Sequence, residues 1–177
     1  MTLTRDDLMA TLAANQIPVT TVEHPPLFTV EESQDLRGEI AGAHTKNLFL
    51  KDKKGTIFLV VAEEETVVDL KQLHRRIGAS GRLSFASGEK MRELLGVEPG
   101  SVTAFGVIND RDGVVRVVLD EQLTTYDIVN CHPLTNTATT SIALADLKRF
   151  FHLTGHEFLV APLAEGADDQ QDETSAA

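Results

Sequence analysis

The stretch KNLFLKDKKGTIFLVVA, residues 46–62, decides the fold class. It holds two apolar runs, 48–50 and 57–62, joined by Asp52, Lys53, Lys54 and Gly55. Asp and Gly tolerate the backbone conformations of a tight turn, so the stretch predicts an antiparallel hairpin.

Toward the N-terminus, Thr4 with Asp7 three residues later forms a capping box, and Leu8, Met9, Leu12 and Ala13 recur at helical spacing. This predicts a first helix over 5–15. VTTVEH, residues 19–24, reads as a short strand stopped by Pro25 and Pro26. Thr29 and Glu32 make a second capping box, opening a short helix that ends at Gly38. Downstream, helices are expected over 69–76, closed by Gly78, and over 88–95, closed by Gly96, with the strand RLSFA between them. SVTAFGVI and VVRVVLD flank NDRDG, a second hairpin signal. YDIVNC adds a strand, and TSIALADLKRFFHLTG a helix begun by Thr140 or Ser141 and stopped by Gly155; EFLVAPL adds the last strand. Hairpins outnumber β-α-β crossovers. The expected fold is therefore α+β, a mixed, largely antiparallel sheet or partly closed barrel with surrounding helices.

The 177 residues, 42% of them hydrophobic, suffice for one substantial core, and neither an internal repeat nor a Pro/Gly/Ser linker interrupts 1–164. That span is read as one domain. Residues 165–177 carry five acids (Glu165, Asp168, Asp169, Asp172, Glu173) and no base, so the tail supplies −5 of the net −11 and the rest −6. Such a tail is expected to be disordered. The overall charge argues against general DNA binding, yet residues 46–92 hold ten Lys and Arg against six acids, a local +4 that suits a confined anionic ligand. No window approaches a membrane span and the N-terminus has no signal core, so a soluble cytoplasmic protein is expected, with no membrane partner.

No phosphate loop, dinucleotide fingerprint or zinc motif occurs. The expectation is no metal and no cofactor. Cys131 is the only cysteine. Beside it, His132 invites a nucleophile pair, but adjacent strand residues point to opposite faces, which favours a buried Cys131 and a pocket-facing His132. Ser101 lacks the elbow context of a hydrolase nucleophile; its PGS turn offers backbone N–H groups instead. Lys46 at the mouth of a strand reads, by spacing alone, as a solvated cation or as a residue aimed at a ligand. Asn47 and Asn136 occur where turns and strand ends use asparagine routinely.

Taken together and in order, HTKNLFLKDKKG, DLKQL, RLSFAS, LGVEPGSVTAFGVIND, VVLD and CHPLTNTATTSI resemble the YbaK/ProX family of aminoacyl-tRNA deacylases, and within it the free-standing branch acting on alanyl-tRNA(Pro). The resemblance spans about residues 20–160. It implies a trans-editing hydrolase that cleaves the ester joining alanine to tRNA(Pro), with aminoacylated tRNA(Pro) and prolyl-tRNA synthetase as partners. Lys46 matches the family's essential lysine, with Asn47 beside it. Residues 100–104 match its glycine loop, with Gly100 and Ser101 binding substrate through their N–H groups, and His132 matches the pocket histidine; Asn136 falls in the same segment. The loop ends in Ala104 where many relatives have proline, and Cys131 stands where many have a larger aromatic residue. An ordinary lysine is a cation at pH 7, so the role implied for Lys46 is orientation and charge stabilisation, with water as nucleophile. Deacylation of cysteinyl-, seryl- or threonyl-tRNA, or a non-catalytic tRNA-binding module, are the alternatives.

Overall fold

A computed structural model describes residues 1–26, 35 and 40–166. Helix α1 (Arg5–Ala14) starts at the Thr4–Asp7 capping box, in which the Thr4 hydroxyl receives the Asp7 amide and the Asp7 carboxylate receives the Thr4 amide. It buries Leu8 and Leu12, one turn apart. Strand β1 (Val19–Glu23) follows. Apart from residue 35, the helix expected to start at Thr29 and end at Gly38 lies outside the described residues, as does the tail from residue 167.

The decisive stretch is a hairpin: β2 (Ala43–Lys51) pairs antiparallel with β3 (Ile57–Glu63), Lys46 opposite Ala62 and Asn47 opposite Val61. At its turn the buried Asp52 carboxylate accepts the amides of Lys54, Thr56 and Ser80. These donors, that of Ser80 foremost, hold its carboxyl below the usual carboxylate range. Lys51, Lys53, Lys54 and Arg82 are thereby held exposed around one buried anion.

After the hairpin come α2 (Leu73–Arg76), β4 (Ser84–Phe85) and α3 (Gly88–Leu95), the last N-capped by Ser87 and closed by Gly96 in the left-handed conformation. The helix expected over 69–76 is thus one turn of regular helix preceded by turns. Then β5 (Val115–Asp120), β6 (Ile128–Cys131), β7 (Ala138–Ala143), α4 (Leu144–Leu153) and β8 (Phe158–Ala161) complete the order.

Two expectations fail here. SVTAFGVI is not a strand: Ala104–Asn109 is a 3-10 helix capped by Thr103, and it buries Phe105, Val107 and Ile108. The NDRDG turn is real, with Gly113 at φ 65° and Asp110 accepting the amides of Val114 and Val115, but it joins that helix to β5. β5 accordingly pairs parallel with β3 and β8. An apolar run of this length does not distinguish a buried helix from a strand. Likewise, the helix expected from Thr140 or Ser141 starts only at Leu144. Thr139, Thr140 and Ser141 belong to β7, which fills the place between β1 and β6, and the cross-strand ladders outweigh a capping signal.

The sheet is mixed and open, in the order β1-β7-β6-β2-β3-β5-β8, with β4 also paired to β2. One face carries the main core, where α1, α3, α4 and the 3-10 helix bring Leu8, Leu12, Leu95, Phe105, Leu147, Phe150 and Phe151 against Phe49, Leu59, Val61, Val117 and Val129. The Phe105 and Phe150 rings meet edge to face at 5.4 Å. A smaller apolar layer, with Leu50, Phe58, Val60, Ala62, Val118 and Ala161 under Leu73 and Ile77, covers the other face over β2, β3, β5 and the end of β8. Among the described residues no helix is long and apolar enough to cross a membrane.

Candidate active site

Strand alternation assigns every side chain of β1, β7, β6 and β2 to one face or the other. Val19, Thr21, Thr140, Ile142, Val129, Cys131 and Ala43 face the main core, as the registers of the four strands require. The opposite face then carries Thr139 and Ser141, Asn130 and His132, and His44 and Lys46. That face is apolar beneath α2 and turns polar beyond β2. Lys46 stands on the boundary.

β6 reaches β2 only at Ala43 and His44, and β4 reaches it only at Leu50 and Lys51. Between them one edge of β2 lies open where the two halves of the sheet part. Gly42 permits the close approach to β6: at φ +103°, an added Cβ would sit 2.7 Å from the Ile128 carbonyl oxygen. The Thr45 hydroxyl continues the contact, donating to the Asn130 carbonyl at 2.8 Å. The paired register ends at His44 and Asn130, and Lys46 and His132 each follow two residues further along the chain. Asn130 secures the junction, its Nδ2 donating to the carbonyls of Ala41 and Ala43 at 3.1 Å while its Oδ1 accepts the Ser141 hydroxyl.

Lys46 is half-buried. Its Nζ donates to the Thr66 carbonyl and forms no ion pair with a described residue. Two of its three N–H groups therefore have no described partner. Asn47, next along the strand, faces the main core at the open edge, and its Oδ1 is buried without a hydrogen-bond partner. Such an orphaned acceptor is costly unless a ligand supplies a donor.

His132 lies just past β6, and its Nδ1 is 3.0 Å from the Ala138 carbonyl. A carbonyl only accepts, so Nδ1 carries the proton and Nε2 keeps its lone pair. Burial first, with the neighbouring His24, lowers its pKa from the ordinary 6.5, although the Ala138 bond opposes the change. The His24 ring stands 6.4 Å from that of His132, and its Nε2 is 2.8 Å from the Thr139 hydroxyl. Cys131 points away into the core, where burial pushes its thiol up to about 11. The Cys131–His132 pair is not a nucleophile and base, as alternation requires.

The glycine loop meets this segment from the far side. Thr103 donates to the His132 carbonyl at 2.6 Å, and Ser101 shares a surface groove with Leu134 and Thr135. Gly100 adopts φ +118° and is exposed, and its amide donates to no described residue. The Ser101 amide is already committed to the Glu98 carbonyl at 2.9 Å, so it is not the second oxygen-binding donor expected from the sequence. Its turn needs that bond to close. Asn136 is half-exposed and makes no side-chain hydrogen bond among the described residues. The structure thus brings Lys46 and His132 onto one face, puts the loop at the rim, and leaves Asn136 outside. Sequence reading missed Thr66, which carried no signal, and Asn130, Thr139, Ser141 and His24, for which the polar positions alternating in VTTVEH, IVNC and ATTS were the available signal.

Residues 24–150 match the model of the aminoacyl-tRNA editing domain. The chain is 41% identical over 154 residues to prolyl-tRNA synthetase associated domain-containing protein 1 of Danio rerio, covering 86% of this chain and 83% of that one. It is 38% identical over 152 residues to the prolyl-tRNA editing protein ProX of Acetoanaerobium sticklandii, covering 85% and 92%. A solved structure described as a candidate trans-editing enzyme for prolyl tRNA synthetase superposes with a TM-score of 0.70 at 26% identity, covering 94% of this chain and 99% of that one. With a match across most of its length in sequence, and a superposition over most of its length in space, the chain belongs to the aminoacyl-tRNA editing domain family and is an aminoacyl-tRNA hydrolase.

Proposed function

We propose that the protein edits in trans, hydrolysing alanyl-tRNA(Pro) to alanine and tRNA(Pro). The observation that carries this reading is the common face of Lys46 and His132, one with spare ammonium donors and the other with a free Nε2. A proline-sized synthetase site admits alanine because each missing methylene changes binding by only about 1–3 kcal/mol, so a second, smaller site is required to remove the error. Prolyl-tRNA synthetase is then the enzyme whose product this one corrects.

An aminoacyl ester is already activated, and positioning with charge stabilisation supplies most of what its hydrolysis needs. His132 Nε2, or the substrate 2′-hydroxyl, orients a water. The water oxygen adds to the ester carbonyl, the Gly100 amide and Lys46 meet the developing negative charge, and the bond to the terminal ribose oxygen then breaks. Alanine leaves as the acid and the ribose oxygen regains a proton. Asn47 faces the other side of β2 from Lys46, so its buried Oδ1 takes no part in this step. Asn136, on the rim, is kept as a weaker contact to the terminal nucleotide, and Lys51, Lys53 and Lys54 add salt-sensitive attraction for tRNA phosphates.

Parallel deacylation assays with alanyl-, cysteinyl-, seryl- and threonyl-tRNA test the substrate. Alanyl-tRNA(Pro) is expected to be cleaved fastest, with prolyl-tRNA(Pro) spared. Faster loss of another amino acid would reassign the specificity, and tight binding without release would make the protein a tRNA-binding module.

The pH dependence follows from His132. Because its pKa is lowered, the imidazole is neutral at pH 7, and kcat should be level above pH 6.5 and fall as acid protonates Nε2. His132→Gln, which cannot titrate, should lose roughly 10- to 100-fold in kcat together with that acid limb. An unchanged limb in the variant assigns the water-orienting role to the substrate hydroxyl alone.

A further inference from the structure

The acceptor that holds Lys46 is itself held by a buried acid that the mechanism above does not use. Asp120 ends β5 and is fully buried. Its Oδ2 accepts the Thr66 hydroxyl at 2.7 Å and the Glu63 amide at 2.9 Å, while Oδ1 accepts the Gln122 amide at 3.0 Å. No ion pair to a described residue neutralises it. A buried carboxylate with three donors and no cation fixes geometry more firmly than a neutral acceptor would.

What it fixes is the turn after β3. The Thr66 amide donates back to the Glu63 carbonyl at 3.0 Å, and the Glu64 amide donates to the His44 carbonyl at 2.9 Å. The turn is thus fastened to β5 on one side and to β2, two residues before Lys46, on the other. It presents one group to the site, the Thr66 carbonyl that receives the Lys46 ammonium. Ala62, directly across the hairpin from Lys46, is small, which leaves room for the lysine stem to cross β3 toward that carbonyl. A lysine carries four rotatable bonds and places its charge poorly unless something fixes it.

We infer that Asp120 and Thr66 are positioning residues for Lys46: the Asp120 carboxylate holds the Thr66 hydroxyl so that the Thr66 carbonyl aims the ammonium at the developing charge. The inference rests on Lys46 belonging to the active site. It requires that the hydroxyl of Thr66 matter to turnover although it touches no substrate. Misplacing the ammonium weakens a contact made only in the transition state, so kcat falls and KM stays.

Steady-state deacylation of alanyl-tRNA(Pro) by the full chain tests this with four variants. Thr66→Val, which keeps shape and carbonyl but loses the hydroxyl, should lower kcat about tenfold with KM within about twofold of wild type. Thr66→Ser, which restores the hydroxyl, should recover most of that loss, and Asp120→Asn should lower kcat like Thr66→Val. Lys46→Ala is the reference for the site itself. If Lys46→Ala is inactive while Thr66→Val turns over like wild type, the relay is wrong and the site reading stands. If Thr66→Val raises KM instead of lowering kcat, or Thr66→Ser fails to recover it, the residues serve folding alone and the inference is overturned. A fully active Lys46→Ala overturns both.

Discussion

Lys46→Ala should lower kcat for alanyl-tRNA(Pro) by about 10²–10³-fold, the loss typical of removing one preorganised donor from a developing negative charge, roughly 3–4 kcal/mol. Melting temperature should change little, because the side chain is half-buried, packs beside Ala62 and forms a single described hydrogen bond. Lys46→Arg should not restore the rate. A planar guanidinium carries its donors in a fixed fork, and one carbonyl at the edge of an apolar layer holds a compact ammonium better. Single-turnover hydrolysis of labelled alanyl-tRNA separates the effect from tRNA binding. An alanine variant within about threefold of wild type would remove Lys46 from the mechanism.

The second large effect is on stability. Asp110→Ala should cost about 3–4 kcal/mol, since each buried donor left without a partner costs roughly 1–3 kcal/mol. Asp110 Oδ2 accepts His156 Nε2 at 2.7 Å and the Val115 amide at 2.8 Å, and Oδ1 accepts the Val114 amide at 3.2 Å. His156 is closed on its other side by the Thr154 hydroxyl, 2.8 Å from Nδ1. The Asp110 and His156 side chains are each 1% exposed, so this group resembles a hydrolytic triad in composition but no substrate reaches it. Its work is to tie the loop before β5 to the loop before β8. For a domain whose whole stability is about 5–15 kcal/mol, such a loss moves the urea midpoint markedly. The chain has no tryptophan, so circular dichroism is the probe. Asp110→Asn, which keeps one acceptor oxygen, should lose about half as much. A loss under about 1 kcal/mol in the alanine variant would show that the two loops need no such tie.

How far the sequence could be read depended on the range of the cause. Local causes were legible. Thr4 and Asp7 cap α1, Ser87 and Gly96 bound α3, and the turn around Asp52 joins two strands, because each acts through bonds between residues a few places apart. The run Ala104–Ile108 was misread because helix and strand bury a short apolar segment equally well; the hole left for Phe105 and Val107 by α3, α4 and the sheet made it a helix. Thr140 and Ser141 were misread for the complementary reason, since a capping signal is worth about 1 kcal/mol and was opposed by ladders to the preceding strand β6 and to β1, far away in the chain.

The site divides in the same way. Lys46 and His132 stood out through their motifs, and alternation alone already sent Cys131 and His132 to opposite faces. Thr66 and Asp120 carried no signal, since a threonine in an acidic turn and an acid at a strand end are ordinary. By itself the sequence determined the hairpin, the caps and which residue types the chemistry would use, all of which depend on neighbours along the chain. Only the tertiary structure decided that β5 runs parallel to β3, that β6 meets β2 at two residues and then parts from it, and that a buried carboxylate from β5 stands behind Lys46. Those are consequences of close packing between segments 50 to 90 residues apart, where one strand's register fixes what another can reach.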